Sequence, residues 1–250
     1  MDNNTKKLQS QLLILMKILH EVCVKNNLRY YIIGGTMLGA IRHQGFIPWD
    51  DDMDVGLPRE DYEKLLALPQ SEWPDFVHIK SQKNSKDLIF PYAKIMNKNT
   101  TLIEDRLDGI VEGIYIDVFP LDGAGNSYTF AKMHYYRLFW KLGLLYNNQD
   151  HGKKRTLLRR IIQEYARKQD VRKLYDRVEK CLKSVKYDNS YFVGNLAGAW
   201  KLKEIMPKTY FGVPSLYKFE DTDLYGPENA DSYLRSLYGD YMKLPPIEKQ

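Results

Sequence analysis

The 250-residue sequence points to an α/β (α+β) protein, and three observations carry that reading. Over the first half, short β-rich runs alternate with helical patterns. From residue 128 the pattern changes to long helical periods that carry a block of basic residues. From Ser190 the chain returns to short elements broken by turns at Gly212-Val213-Pro214, Tyr225-Gly226-Pro227 and Leu244-Pro245-Pro246. The expected organisation is a catalytic core over 1–127, a helical basic segment over 128–189, and a C-terminal part over 190–250 that packs back on the core and takes part in substrate binding.

Taken in order, Leu8, Leu12, Leu15, Met16, Leu19 and Cys23 recur at three- and four-residue steps, which predicts a helix over 5–27 that Asn26-Asn27 breaks. Arg29–Ile33 is a short β run ending at Gly34-Gly35. Thr36–Arg42 fits a short helix with Met37, Leu38 and Ile41 inward. Gly45–Pro48 is a turn, and Trp49–Val55 reads as a strand stopped by Pro58. A helix follows over Arg59–Leu68. Further strands are expected over 76–80, 92–97 and 113–119, the last closed by a turn at Pro120-Leu121-Asp122-Gly123. Tyr128–Leu145 is an aromatic-rich helix. Residues 154–168 place Leu157, Leu158, Ile161, Ile162 and Tyr165 on one face, with Arg159, Arg160, Arg167 and Lys168 opposite; 171–185 continue similarly.

Composition narrows the function classes. With 44% hydrophobic and 28% charged residues, a disordered chain is not expected. The longest apolar run, Leu12–Met16, is far short of the ~20 residues a membrane helix needs. No apolar signal-peptide core follows a basic start at the N-terminus. Cys23 and Cys181 do not make a disulfide framework. A soluble, cytoplasmic protein is the expectation. The net charge of +5 is uneven: residues 153–186 hold thirteen Lys/Arg and four Asp/Glu, and the rest of the chain is net acidic. Such a block can face a polyanionic polymer or an anionic lipid surface, or form a solvated helix face.

The segment Trp49-Asp50-Asp51-Asp52-Met53-Asp54-Val55 needs a chemical explanation. On a strand, Asp50, Asp52 and Asp54 would share a face. Three carboxylates on one face repel unless a cation sits among them, and Mg²⁺ takes oxygen ligands together with substrate phosphates. A calcium loop is disfavoured, because the Gly and the distal Glu of that pattern are missing. Asp117, inside the apolar run Tyr115–Phe119, would complete the site if its strand lies beside the aspartate strand. Gly34-Gly35-Thr36, opening a helix, offers N–H groups and a hydroxyl to an anion. Arg42 and Lys94 are candidate phosphate-binding cations. Walker, serine-esterase and zinc-protease patterns are absent, and the five histidines have no ligand spacing.

The run from Ile33 to Val55, with Gly34-Gly35-Thr36 and the aspartate ladder together, resembles the signature of the LicD family, bacterial phosphocholine-type transferases related to the fukutin proteins of animals. Tyr92–Ile95, Ile116–Asp122 and Tyr238–Pro246 support the resemblance; the basic middle matches no motif. It implies a nucleotidyltransferase-type mixed sheet with flanking helices. It also implies phosphate contacts from Gly35 and Thr36, with Gly34 in the same turn. Asp52, Asp54 and Asp117 would be catalytic and hold Mg²⁺, or Mn²⁺ in its place, with Asp50 in or behind the same set. The implied reaction moves a phospho-alcohol, phosphocholine foremost, from a CDP-alcohol such as CDP-choline to a hydroxyl of a glycan or lipid-linked glycan acceptor (teichoic acid, lipopolysaccharide or capsule), releasing CMP. The expected location is cytoplasmic, peripheral to an anionic membrane at the inner face of the plasma membrane, with no nucleic-acid partner. Trp49, Trp200, Tyr217 and Tyr225 are candidate aromatic faces for a choline head group. Two rivals are nucleotidyl transfer from an NTP, which the same metal ladder would serve, and non-catalytic polyanion binding through the basic block.

Overall fold

The computed structural model describes residues 3–85, 88, 90–103, 111–149 and 157–246. The elements, in chain order, begin with α1 (Asn3–Lys25), β1 (Tyr31–Ile32), α2 (Gly34–His43), β2 (Asp54–Pro58) and α3 (Arg59–Leu65). Three strands follow: β3 (Val77–Lys80), β4 (Ala93–Ile103) and β5 (Val111–Gly125). The middle holds α4 (Tyr128–Gln149), α5 (Leu157–Arg167), α6 (Val171–Leu182) and the short strands β6 (Phe192–Gly194) and β7 (Met206–Pro207). The chain closes with α7 (Lys208–Phe211), the hairpin β8 (Ser215–Phe219) and β9 (Thr222–Gly226), and α8 (Ala230–Tyr238). This is the mixed α/β protein expected. No helix among the described residues is long and apolar enough to cross a membrane.

Two compact units form, the first from residues in 1–85, 92–120 and 209–250, the second from 86–91 and 121–208. In the first, strands run in the order β1-β2-β5-β4-β3. β1 and β2 are antiparallel, with Tyr31 opposite Gly56. β4 is antiparallel to both β3 and β5, and Ile95 faces Ile116. Leu12, Leu15, Met16, Leu19 and Cys23 on α1 are buried, as the periodicity predicts, with Ile95, Ile116 and Val118 also in the core. Each such leucine contributes about 2 kcal/mol by leaving water. Asn27 ends α1 by taking φ 52°, a left-handed conformation that asparagine tolerates better than most residues. The C-terminal residues of this unit are tied in by Tyr31 Oη, which donates to the Gly212 carbonyl at 2.7 Å. The Glu220 N–H likewise donates to the Gln44 carbonyl at 2.7 Å.

The second unit packs α4, α5 and α6 around Ala131, Tyr135, Leu138, Leu142, Ala166, Leu174 and Val178. Asp170 caps α6 by accepting the Lys173 N–H at 3.0 Å. Two sequence expectations are corrected here. The turn at Pro120–Gly123 is absent, because β5 continues to Gly125 and pairs Asp122 and Gly123 with Gly194 and Val193. Pro120 falls after Val118, where pairing with β4 ends, and before Asp122, where pairing with β6 begins, so its missing N–H interrupts no ladder. The apolar face assigned to α5 is also rotated: Ile161 and Tyr165 are 59% and 54% exposed, while Gln163 and Ala166 are buried. Small Ala166 admits Asn148 of α4, whose Nδ2 donates to the carbonyls of Ala166 (2.6 Å) and Gln169 (3.0 Å). Close approach of the helices thus outweighs burial of the bulkiest side chains. Lys153, Lys154 and Arg155 of the basic block lie outside the described residues, and of Arg159 only the helical backbone is described. Cys23 and Cys181 are buried free thiols.

Asn148→Ala removes both bonds at the end of α5. It is expected to destabilise this unit by about 1–3 kcal/mol, read as a lower urea midpoint for the helical far-UV signal.

Candidate active site

The site is built on the first turn of α2. Ile33 precedes it in an extended conformation and supplies no side-chain cap. Met37 is the residue whose N–H closes back on Ile33 O, at 3.2 Å, so the earlier N–H groups have no acceptor within the helix. Gly34 takes φ +56°, where a side chain would be strained. Its N–H donates to Tyr233 Oη at 2.9 Å. Gly35 and Thr36 carry the next donors, at the positive end of the helix dipole. The buried Thr36 hydroxyl is an internal tie: Oγ1 accepts the Asp54 N–H at 2.8 Å. The Ile33 N–H donates to the Asp54 carbonyl at 3.0 Å, so Asp54 is held by its backbone on both sides.

The aspartates reach this turn by a different route from strand parity. Residues 50–53 are irregular and the strand begins at Asp54. Gln9 of α1 holds the segment, with Nε2 donating to the carbonyls of Asp50 (2.8 Å) and Ile47 (3.3 Å). A Cβ built on Gly35 would stand 2.9 Å from Asp50 Oδ2, and one on Gly34 would stand 3.3 Å from Asp54 Oδ2. Both carboxylates therefore lie against the uncapped turn. Oxygens of Asp50, Asp51 and Asp52 lie within 4.8 Å of one another, the one such acidic group among the described residues. Asp54 and Asp117 fall outside that group, and Asp51 joins it. Lost hydration, then the charges of Asp52 and Asp51, push the Asp50 carboxyl up to about 7. Asp52 is also raised, first by lost hydration and then by Asp51, while a hydrogen bond shared with Asp50 pulls it back. Carboxyls that raise one another in this way mark unbalanced negative charge, and an all-oxygen donor set of this kind fits Mg²⁺ or Mn²⁺.

Asp117 stands on β5 between the fully buried Ile116 and Val118. Its N–H donates to the Met53 carbonyl at 3.0 Å, beside the aspartate segment, and its Oδ1 is buried. Directly across the β4–β5 ladder is Lys94, so the two side chains share one face of the sheet. Lys94 is 2% exposed, 2.9 Å from Glu112 Oε2 and 3.6 Å above the Tyr115 ring. Glu112 also pairs with Lys80. Burial pushes the Glu112 carboxyl up, but hydrogen bonds from Lys80 and Lys94 outweigh it and hold it below its ordinary value. Glu112 was not visible as a site neighbour in the sequence, because its approach to Lys94 depends on the register shift between Asn97 and Leu102.

Arg42, at the far end of α2, donates from Nη1 to the Tyr241 carbonyl at 3.2 Å and from Nε to His43 at 3.0 Å. Tyr233 and Tyr238 come from the tail; the Tyr238 hydroxyl is 3.9 Å from the Cβ position of Gly34. Sequence reasoning missed both, though the Tyr238–Pro246 motif pointed to that stretch. Of the aromatic candidates, Trp49 lies next to Asp50 and meets the His43 ring edge-on at 6.5 Å. Tyr217 donates its hydroxyl to the Pro227 carbonyl at 2.7 Å, and Tyr225 stacks on His20 at 5.5 Å.

A family model described as "LicD/FKTN/FKRP, nucleotidyltransferase domain" matches residues 27–141, which contain the Gly34-Gly35-Thr36 turn, Arg42, the aspartates 50–54, Lys94 and Asp117, but not Trp200, Tyr217 or Tyr225. The lipopolysaccharide cholinephosphotransferase LicD of Haemophilus influenzae is 30% identical to this chain over 261 residues, covering 97% of this chain and 94% of that protein. The ribitol 5-phosphate transferase FKRP of Mus musculus is 53% identical over 118 residues, 39% of this chain and 24% of that protein.

The raised Asp50 carboxyl has a consequence for stability. Folded, it keeps a proton up to about pH 7, whereas the unfolded chain releases it near pH 3.9. The folded state therefore binds more protons across that window, and the contribution of this group to stability falls as pH rises through it. In EDTA, the melting temperature of the wild type is expected to drop by a few degrees relative to Asp50→Asn between pH 5 and 8. Parallel curves for the two proteins would show that the cluster is not crowded in solution.

Proposed function

We propose that this chain, which belongs to the LicD family, transfers a phospho-alcohol, phosphocholine foremost, from a CDP-alcohol to a hydroxyl of a cell-surface glycan precursor, releasing CMP. Membership makes it a phosphotransferase for substituted phosphate groups. The finer reading is supported by the near-full-length likeness to a protein named as a lipopolysaccharide cholinephosphotransferase. The observation that carries it is the placement of Asp50 and Asp54 against the uncapped start of α2. An anion-binding turn and a set of carboxylates only belong together if a cation and phosphates join them.

In this reading the N–H groups of Gly35 and Thr36 bind donor phosphate oxygens. Asp50 and Asp52, with Asp54 at the start of β2 and Asp117 on β5, would hold Mg²⁺, which would supply neutralisation of the diphosphate and of the leaving CMP. Lys94, held by Glu112 and Tyr115, stands as a cation on the Asp117 face of the sheet. The acceptor hydroxyl attacks the β-phosphorus in line; the new O–P bond forms as the bond to the CMP oxygen breaks. Asp117 takes the hydroxyl proton. Nothing further is demanded of the protein, because phosphoryl transfer depends mainly on positioning and electrostatics.

Calorimetric titration with CDP-choline tests the reading. Binding is expected to require Mg²⁺ and to weaken at least tenfold in Asp52→Ala/Asp54→Ala. Equal or tighter binding of CTP, with no gain from the choline arm, would favour nucleotidyl transfer instead. Gly35→Ala offers a second check: its helix-compatible side chain would displace Asp50 Oδ2, from a Cβ position 2.9 Å away. Its kcat is expected to fall at least tenfold, about 1.4 kcal/mol, with the far-UV spectrum unchanged.

A further inference from the structure

Helix α4 presents an unusual surface. Tyr128, Phe130, Met133, Tyr136, Phe139 and Trp140 are each between 45% and 61% exposed, all within four turns. Monomer surfaces seldom display contiguous large apolar groups without a partner. The opposite side of the helix is fully engaged, with Ala131, Tyr135, Leu138, Leu142 and Leu145 in the core shared with α5 and α6. At 100° per residue, Met133, Tyr136 and Trp140 form one row along the helix, and Lys132 and Arg137 flank it on opposite sides.

The charges say what covers this face. α4 has three basic residues, Lys132, Arg137 and Lys141, and no acidic one. A turn of the same unit extends the patch: Tyr135, Tyr136 and Phe139 of α4 line a cavity of about 410 Å³ together with Trp200, Leu202 and two exposed lysines, Lys201 and Lys203. Glu204, the acid of that turn, is buried and accepts the Trp200 N–H at 2.9 Å, so its charge does not face the patch. Lys201 takes φ +59°, a strained backbone for a non-glycine residue, kept where its side chain reaches solvent. Aromatics and Met interleaved with cations, without a single exposed acid, match an anionic lipid surface. Tyr and Trp favour its apolar–polar boundary, and each Lys/Arg gains from its negative potential.

We infer that α4 and the Trp200–Lys203 turn form a docking surface for anionic lipid, on which the protein lies without spanning the bilayer. The helix rests in the interface with the Met133–Tyr136–Trp140 row inward, Lys132 and Arg137 at headgroup level, and the cavity beside Phe139 accepting acyl-chain carbons. This moves the lipid contact away from the basic block of α5 and α6, where charge density alone would place it. The inference rests on the α4 face and not on the transfer reaction.

Co-sedimentation of the full chain with vesicles tests it, using phosphatidylcholine alone and phosphatidylcholine mixed with phosphatidylglycerol. The wild type is expected to bind the anionic vesicles at least tenfold more tightly than the neutral ones. Met133→Ser/Tyr136→Ser/Trp140→Ser, and separately Lys132→Gln/Arg137→Gln/Lys141→Gln, should each reduce that binding at least tenfold. Arg160→Gln/Arg167→Gln/Lys168→Gln, on and just after α5, should leave it within about twofold, because α5 packs on the side of α4 opposite the Met133–Tyr136–Trp140 row. Far-UV circular dichroism and urea midpoints of the same variants show whether they are folded, independently of any reading of the active site. The inference is overturned if the wild type does not bind anionic vesicles, if the α4 variants bind as well as wild type, or if the α5 variant carries the loss. It is also overturned if light scattering shows a dimer that the Trp140 variant abolishes, which would make a second copy the occupant of the face.

Discussion

Like charge held close together is the constraint on which the site depends. Oxygens of Asp50, Asp51 and Asp52 are kept within 4.8 Å of one another, an arrangement the chain must hold against its own repulsion. It does so with neutral ties. Gln9 binds the backbone of the segment from α1, and Thr36 and Ile33 bind the backbone of Asp54 from α2. Among the described residues no ion pair engages Asp50, Asp51 or Asp52; Arg42 acts on Asp50 only through its charge, and the crowding pushes the Asp50 carboxyl toward its protonated form. In the proposed function a metal ion would relieve the same crowding, in place of the proton.

Across the sheet the charge is balanced in the opposite manner. A lysine as buried as Lys94 would be costly in isolation. Glu112 and the face of Tyr115 hold it, and Lys80 shares the same carboxylate. Two lysines on one glutamate leave this corner positive, directly opposite Asp117 on the neighbouring strand. The unit thus carries a negative loop, a helix start with unsatisfied donors and a fixed buried cation. A magnesium-bound diphosphate has the complementary pattern, with anionic oxygens for the donors and a cation for the loop.

What was legible in the sequence was local. Gly34-Gly35-Thr36 opens a helix and the aspartates follow it, and both facts survive because they need only neighbouring residues. The buried stripe of α1 was equally plain from its spacing. Strand parity for Asp50 and Asp52 failed because a glutamine forty-one positions earlier holds that segment out of the sheet. Glu112 was invisible because its partner is set by a bulge in the β4–β5 ladder. Tyr233, which takes the Gly34 N–H, lies almost two hundred residues away. The continuation of β5 through Pro120 and the rotated face of α5 were missed for the same kind of reason. In each, a tertiary partner (β6 in one, Asn148 in the other) overrode a local signal that was read correctly on its own terms.

The central claim is that the start of α2 and the aspartate segment together hold a metal-bound phosphate group. The most direct measurement is a ¹H–¹⁵N correlation spectrum of the deuterated protein with CDP-choline, comparing Mg²⁺ with paramagnetic Mn²⁺. The account predicts shifted amides at Gly35 and Thr36 on adding the Mg²⁺ complex. It further predicts that Mn²⁺ broadens residues 50–54 and 117 before any others. Broadening centred elsewhere, or Gly35 and Thr36 amides indifferent to the donor, would contradict it.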